Sequence, residues 1–441
     1  MTNYAESVDI AQQLIRFDTT NDDRDVIEQP AAEYVMDLLH EVGLEPEMYG
    51  PTQGRPSVVV RIPGENRGVD IDESTGERRG AVVIHGHLDV VPAVAEDWSV
   101  DPFGGVIKDG MLWGRGAVDM KNMDAMILAA VREIARTGYV PPRDLVIAMF
   151  ADEEAGGKLG CRFLVDNYPQ LFEGATHAIS EVGGYNTHVN GKPVYLVQTG
   201  EKALTWYKFT AEGTAGHGSQ VNHNNSVGKL AAAMAAIGSE PWPLALTDTV
   251  RTLLEGTAKL TGLPFDPADE STLNALVDAL GPAKAYVGAT LRTGSNLTSM
   301  NGGYMANVIP QTATGTVDVR AIPGTEADVA TRIEELAAGL TIEALHDSPG
   351  YESPTTSTFV DAMTEALIAH DPDAVVLPYL LSAGTDNKTL GTLGIKGYGF
   401  SPVKLPEGFD FPAMFHGIDE RVPVDSLPFG SAVLREFIER L

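Results

Sequence analysis

Apolar residues recur along this chain with two periods, and the change from one to the other marks out its elements. From Ser7 to Gly43 they fall at helical spacing, with Ile10, Leu14 and Ile15 and later Ala32, Val35, Leu38 and Leu39 on one side. A second helical stripe runs over Asn122 to Thr137, where Met126, Ile127, Ala130, Val131 and Ile134 line up and Gly138 ends it. Between these lie short apolar runs at Ser57 to Ile62, Ala81 to His85 and Leu145 to Phe150, with another beginning at Ala178 to Ser180. Such runs suit strands covered on both faces. A hairpin around Asp109-Gly110 is predicted over Lys108 to Trp113. Strands alternating with helices predict an α/β fold, a mostly parallel twisted sheet flanked by helices. In such sheets, sites form beyond the carboxyl ends of the strands.

Around Glu201 the texture changes. Strand patterns at Leu204 to Glu212, Ser295 to Asn301, Thr312 to Ile322 and Thr341 to Leu345 enclose helical ones at Ser226 to Ile237 and Ala327 to Leu340. The order strand, helix, strand, strand, helix, strand predicts a small ferredoxin-like α+β sandwich. A mostly helical insertion, residues 238–290, interrupts it. From Glu352 the first texture returns, with helices at Phe359 to Ala369 and Ser426 to Arg440 and strands near Ala374 to Leu377 and Gly397 to Phe400. The expected organisation is a first domain split into 1–199 and 350–441, with 200–349 inserted as a smaller one.

The 441-residue length also favours two domains, and 43% hydrophobic residues supply a full core. A count of 31 basic against 61 acidic residues leaves a charge of −30. That surface repels nucleic acid and anionic membrane, so neither is an expected partner. Cys161 is the only cysteine, which rules out an intrachain disulfide and fits a reducing compartment. Its setting, GGKLGCRFLV, reads as a helix on a core and the thiol as structural. No basic, apolar leader opens the chain and no stretch approaches the length of a membrane span. A cytoplasmic enzyme is therefore expected.

Several polar residues stand where strands should end. His87, Glu153, Glu154 and Glu181 each follow an apolar run, so independent strand ends converge on one place. Imidazole and carboxylate are the ligands of hydrolytic zinc, and one further carboxylate would supply a base. His87 and Asp89 point the same way in an extended segment, which suits an imidazole oriented by a carboxylate. His85 shares that face and reads either as a rival ligand or as a hydrogen-bonded core residue. Asp119, just before the Asn122 helix, is either a helix cap or a carboxylate spanning two cations. Glu153-Glu154 is either a solvated acidic turn or a ligand and base side by side. His416 lies in a loop, and Arg320 on a strand reads alone as half of a surface ion pair.

Taken in order, HGHLDVVP, DPFGG, GRGAVDMKN, DEEAGG, Glu181, GTAGHGS, NVIP, DVR, AGTD and FHGIDE span essentially the whole chain. This set resembles the co-catalytic zinc peptidases and amidohydrolases that include aminoacylase, carboxypeptidase G, succinyl-diaminopimelate desuccinylase and acetylornithine deacetylase. The resemblance implies a zinc-binding catalytic domain, with a lid domain that also forms a homodimer. It implies that His87 and Glu181 hold one Zn2+, Glu154 and His416 the other, and that Asp119 bridges both. Co2+ or Mn2+ are possible substitutes. Glu153 would be the general base, Asp89 would orient His87, and His217 of a second copy would steady the oxyanion together with Asn307. Arg320 would grip the free carboxylate of the substrate, and Gly384 would offer its backbone. The implied reaction is hydrolysis of the amide of an N-acyl-amino acid or short peptide, releasing a C-terminal amino acid. A biosynthetic deacylase is the alternative inside the class; a two-metal phosphoesterase and an inactive binding homologue are alternatives outside it. The chain departs from the family pattern at Lys388, where many relatives have arginine, and at Val182, which separates Glu181 from Gly183-Gly184.

Overall fold

The apolar runs are strands covered on both sides. A computed structural model describes residues 4–22 and 28–441. In it Ser57–Ile62, Ala81–His87, Leu145–Phe150 and Ala175–Ser180 belong to one ten-stranded sheet. Successive side chains of a strand point to opposite faces, and this sorts the apolar residues of the sheet into two cores. Val58, Val60, Val82, Ile84, Ile147, Met149 and Ile179 enter a large core shared with helices Glu6–Arg16, Gln29–His40, Lys121–Thr137 and Ser426–Glu439. Val59, Val83, Val146, Ala148, Phe150 and Ala178 face the other way, onto Leu164 of helix Cys161–Asn167 and Leu390 of Asn387–Gly391. Cys161 is fully buried in this second layer, where a small thiol packs as a hydrophobe. The helical pattern from Ser7 to Gly43 is two helices, and residues 23–27 of that span lie outside the described residues.

The sheet is mixed. Its centre is parallel, with Ala81–His87 between Leu145–Phe150 and Ala175–Ser180, and Lys396–Gly399 beyond the latter. Antiparallel partners flank that centre: Ser57–Ile62 beside Leu145–Phe150 on one side, and the hairpin Tyr185–Val189 with Lys192–Glu201 on the other. The mostly parallel pattern predicted from the sequence therefore describes the middle of the sheet, which is where the candidate site residues emerge.

A second sheet has the strand order Gly294–Gly302, Thr312–Arg320, Leu204–Glu212, Thr341–Ser348, all antiparallel. Helices Ser226–Gly238 and Glu326–Leu336 cover one face, closing a separate core around Phe209, Met234, Ile237, Val317 and Ile333. That is the ferredoxin-like arrangement. The 238–290 insertion adds Trp242 to this smaller core, but not its helices. Its helices Asp248–Thr261 and Glu270–Asp278 place Val250, Leu253, Leu254, Leu273 and Leu276 in the large core. Thr187 Oγ1 donates to the Leu280 carbonyl at 2.8 Å, and Lys202 Nζ donates to the carbonyls of Ala289 and Arg292 at 2.8 Å each. The segment thus interrupts the smaller unit in sequence, and its helices belong to the larger one in space. Among the described residues, no helix is long and apolar enough to cross a membrane.

Candidate metal centre

Three neighbouring parallel strands deliver four of the candidate side chains to one edge of the sheet. His87 is the last residue of Ala81–His87, one step inside the strand rather than past it. Glu181 follows Ala175–Ser180, and Glu153 and Glu154 follow Leu145–Phe150 through a turn in which Asp152 adopts φ 66°. Asp119 approaches from the loop before helix Lys121–Thr137. Its carboxylate does not cap that helix, whose first turn receives no side-chain cap. His416 comes from a loop near the other end of the chain, at φ 56°.

These residues meet. His87 Nε2 lies 3.1 Å from Asp119 Oδ1 and 3.7 Å from Glu181 Oε1. His416 Nε2 lies 3.2 Å from Asp119 Oδ2 and 3.1 Å from Glu154 Oε2. The two oxygens of a single carboxylate therefore face two different imidazoles, each with its own second carboxylate. Donor atoms of His87, Asp119 and Glu154 lie within 4.8 Å of one another, and so do those of His87, Glu153 and Glu181.

The electrostatics of this cluster call for cations. Glu181 is pushed up to about 8 by burial and then by the charge of Asp119. Burial likewise raises Glu154, with Asp119 adding to it, and raises Glu153 well above the usual range, with Glu181 adding to it. His416 is raised to about 10 by its hydrogen bonds to Asp119 and Glu154. Burial alone would lower His87, but Glu181 and Asp119 outweigh it and hold the imidazole well above its ordinary value. Asp119 is lowered, because its bonds to His416 and His87 overcome the cost of burial. Glu154 Oε1 is buried with no hydrogen-bond partner. Four carboxylates gathered out of water repel one another unless cations compensate. Two imidazoles with oxygen donors are also the ligand set of hydrolytic zinc, so the residues present fit a pair of divalent cations.

A thermodynamic consequence follows. Their carboxylate partners raise both imidazoles above the ordinary value, so a cation that binds there is expected to displace protons. Zinc affinity is expected to rise with pH from 7 towards about 10, the value for His416. Calorimetric titration in two buffers of different ionisation enthalpy measures this; identical enthalpies in both would contradict it.

Around the cluster, several buried groups fix its geometry. Asp89 accepts from the amides of Glu153 at 3.0 Å and Glu154 at 3.1 Å, and its carbonyl oxygen stands 3.0 Å from His87 Nδ1. Its Oδ1 is 3.6 Å from the same nitrogen, so Asp89 positions both the histidine and the glutamate pair. Asn21 donates to Asp89 at 2.8 Å and accepts from Arg55 at 3.0 Å, while Arg55 pairs with Asp152 at 2.6 Å. Asn21, Arg55 and Asp152 carry no motif that marks them in the sequence. Glu420, the last residue of FHGIDE, is fully buried and accepts from Arg115 and three backbone amides. His85 is the core residue of its two readings: Nε2 bonds to Asn387 Oδ1 at 3.0 Å, and burial lowers it to about 4.

The residues expected to touch substrate are not brought into this cluster. His217 lies on Gly216–His217, paired with Val308–Ile309, and its Nδ1 is 2.8 Å from Ser219 Oγ. The Asn307 carbonyl accepts from the amide of Gly218 at 2.8 Å. These two residues share one corner of the smaller unit: the backbones of their segments pair, while the His217 ring bonds within its own turn. Arg320 forms a two-bond pair with Asp318, at 2.7 and 3.0 Å, which is the surface pairing its strand position suggested. Gly384 stands beside Lys388, whose Nζ would lie 3.2 Å from a Cβ placed there. Lys388 Nζ itself donates to the Lys202 carbonyl at 2.6 Å. Val182, the other departure, takes φ 55°, unusual for a β-branched residue, and its carbonyl accepts from the Tyr379 hydroxyl. Helix Lys284–Val287 of the insertion sets Tyr286 edge-on to Phe415, 5.9 Å between ring centres, next to His416.

Known proteins resemble this chain over most of its length. Residues 83–440 match the sequence profile of Peptidase family M20/M25/M40. A probable carboxypeptidase S-like protein of Dictyostelium discoideum is 28% identical over 365 residues, covering 78% of this chain and 68% of its own. Aminoacylase-1 of Homo sapiens is 25% identical over 425 residues, 94% of this chain and 90% of its own. Among solved structures, a metallo-carboxypeptidase of Sulfolobus solfataricus superposes over 98% of both chains with a TM-score of 0.73 at 16% identity.

Proposed function

The chain belongs to peptidase family M20/M25/M40 and is a metal-dependent hydrolase of its aminoacylase and carboxypeptidase type; from that premise we propose that it cleaves the amide of N-acyl-amino acids or short peptides at a centre for two zinc ions, releasing a C-terminal amino acid. The observation that carries the two-ion reading is Asp119, whose oxygens each face one of the imidazoles His87 and His416. His87 and Glu181 would hold one ion, His416 and Glu154 the other. Bound there, the ions supply Lewis acidity towards the amide carbonyl and a more acidic water.

The chain's own residues then divide the work. Glu153 takes a proton from the attacking water and hands it to the leaving nitrogen as the amide bond breaks. Asp89 keeps the Glu153 amide and the His87 ring in register. Arg320 exchanges Asp318 for the substrate carboxylate, a two-bond geometry that its guanidinium already displays. His217 and Asn307, held together on the smaller unit, serve the oxyanion from a second copy of the chain in a homodimer. Tyr286, against Phe415, places the 238–290 insertion beside the same centre.

The amide reading is favoured over a phosphoesterase by the fate of the surrounding cations. Arg115 is bound to Glu420, Arg55 to Asp152 and Lys121 to the Phe17 carbonyl, so these three cations are engaged elsewhere and offer no ready grip on a phosphate. Glu153, present and held in place, speaks against an inactive homologue. A zinc-loaded screen over acyl-amino acids, dipeptides and phosphoesters tests the proposal, with chelation expected to abolish amide hydrolysis. Arg320→Ala is expected to lower kcat/KM about tenfold to a hundredfold for substrates with a free α-carboxylate, the scale of a lost charge-assisted bond of about 1.5–3 kcal/mol. An equal loss on a carboxyl-blocked substrate would exclude the grip.

A further inference from the structure

One buried carboxylate ties the two halves of the centre together. Glu420 shares a loop with His416 and is fully buried. Its Oε1 accepts from the amides of Val118 at 2.6 Å and Asp119 at 3.0 Å. Its Oε2 accepts from the amide of Gly116 at 3.0 Å and from Arg115 Nη1 at 2.7 Å. Three of these four donors are backbone amides in the stretch from Gly116 to Asp119. The Gly114 amide also donates to the Glu420 carbonyl, at 3.0 Å.

The need for such a tie is visible in how unequally the ligands are supported. His87 and Glu181 sit at the ends of paired strands and are almost wholly buried. His416 is on a loop, and its side chain keeps 56% of its surface exposed. Its ring touches only Asp119 and Glu154 among the ligands. The position of Asp119 relative to His416 therefore depends on the backbone between Gly114 and Asp119, and Glu420 clamps that backbone. Anchoring groups behind metal ligands commonly matter about 10–100-fold in affinity.

We propose that Glu420 is a positioning residue that fixes Asp119 against His416 and so sets the affinity for the cation shared by Asp119, Glu154 and His416. This rests on the two-ion reading above. A glutamine at this position keeps one acceptor oxygen but turns an NH2 group towards two of the four donors. The clamp is then half undone while side-chain volume is preserved.

The test is a cobalt titration of the metal-free wild-type and Glu420→Gln proteins, followed by visible absorption, with circular dichroism as the check on folding. Wild type is expected to take up two equivalents. The folded variant is expected to keep the first and bind the second about 10–100-fold more weakly, with its absorption appearing only at excess cobalt. Should the single variant fail to fold, the double variant Arg115→Met, Glu420→Gln is titrated instead, since it leaves no buried charge unpaired. A folded variant that binds both equivalents as tightly as wild type would overturn the positioning role. A wild-type protein that binds fewer than two would instead overturn the two-ion reading, so the failures are distinguishable.

Discussion

Glu153→Gln is expected to keep its fold and both cations while losing about a hundredfold to ten-thousandfold in kcat, the usual contribution of a positioned acid–base group. The substitution preserves shape, and the backbone bond from the Glu153 amide to Asp89 Oδ1 at 3.0 Å does not involve the side chain. What disappears is the capacity to accept a proton from water and return it to the leaving nitrogen. KM should change little, because binding of the substrate carboxylate is assigned elsewhere. The control is metal content. Glu153 also stands within 4.8 Å of the donor atoms of His87 and Glu181, so loss of a cation from the variant would make it a ligand rather than the base. A rate within tenfold of wild type, with metal intact, would remove it from the proton transfer altogether.

Asp119→Asn should have an effect of comparable size for a different reason. The aspartate offers two anionic oxygens, one 3.1 Å from His87 Nε2 and the other 3.2 Å from His416 Nε2. An asparagine offers one neutral oxygen and an NH2 group that cannot bind a cation. At least one ion should be lost, and kcat/KM should fall on the order of a thousandfold, the scale of several kcal/mol of Lewis-acid stabilisation. The fold should survive, because among the described residues the Asp119 side chain bonds to other members of the centre, His87, His416 and Glu181. Removing its charge also relieves the repulsion it exerts on Glu181 and Glu154. The thermal midpoint of the metal-free variant is therefore expected to stay close to wild type, measured alongside zinc content and turnover. A variant that retained two zinc ions and near-normal turnover would show that Asp119 does not bridge.

Much of this centre was legible in the sequence because its residues sit where patterns change. His87, Glu153, Glu154 and Glu181 each end an apolar run, and parallel strands bring such ends together whatever lies between them. His416 carried no such signal, and only the family resemblance gave it a place; for Asp119 the residues alone left a helix cap and a carboxylate spanning two cations both open. The two-layer smaller unit was also readable from its order of elements. The hairpin Tyr185–Val189 with Lys192–Glu201 was not, since the first strand contains Asn186, Thr187 and His188 and the second has a proline, Pro193, next to its start. The packing of 238–290 was equally out of reach. Its amphipathic helices show that they bury a face, but a stripe such as Leu253, Leu254 and Leu276 does not say against which core. Supporting residues escaped for a similar reason. Asn21, Arg55 and Glu420 act through hydrogen bonds to distant backbone or side chains, and nothing in their immediate sequence announces a partner far along the chain.

The central claim is that one carboxylate holds two cations between two separate histidines. Anomalous diffraction at the zinc edge, from crystals of the zinc-loaded protein, tests it most directly. The account predicts two peaks, one among His87, Asp119 and Glu181 and one among Asp119, Glu154 and His416. A single peak, or a second one away from His416, would contradict it.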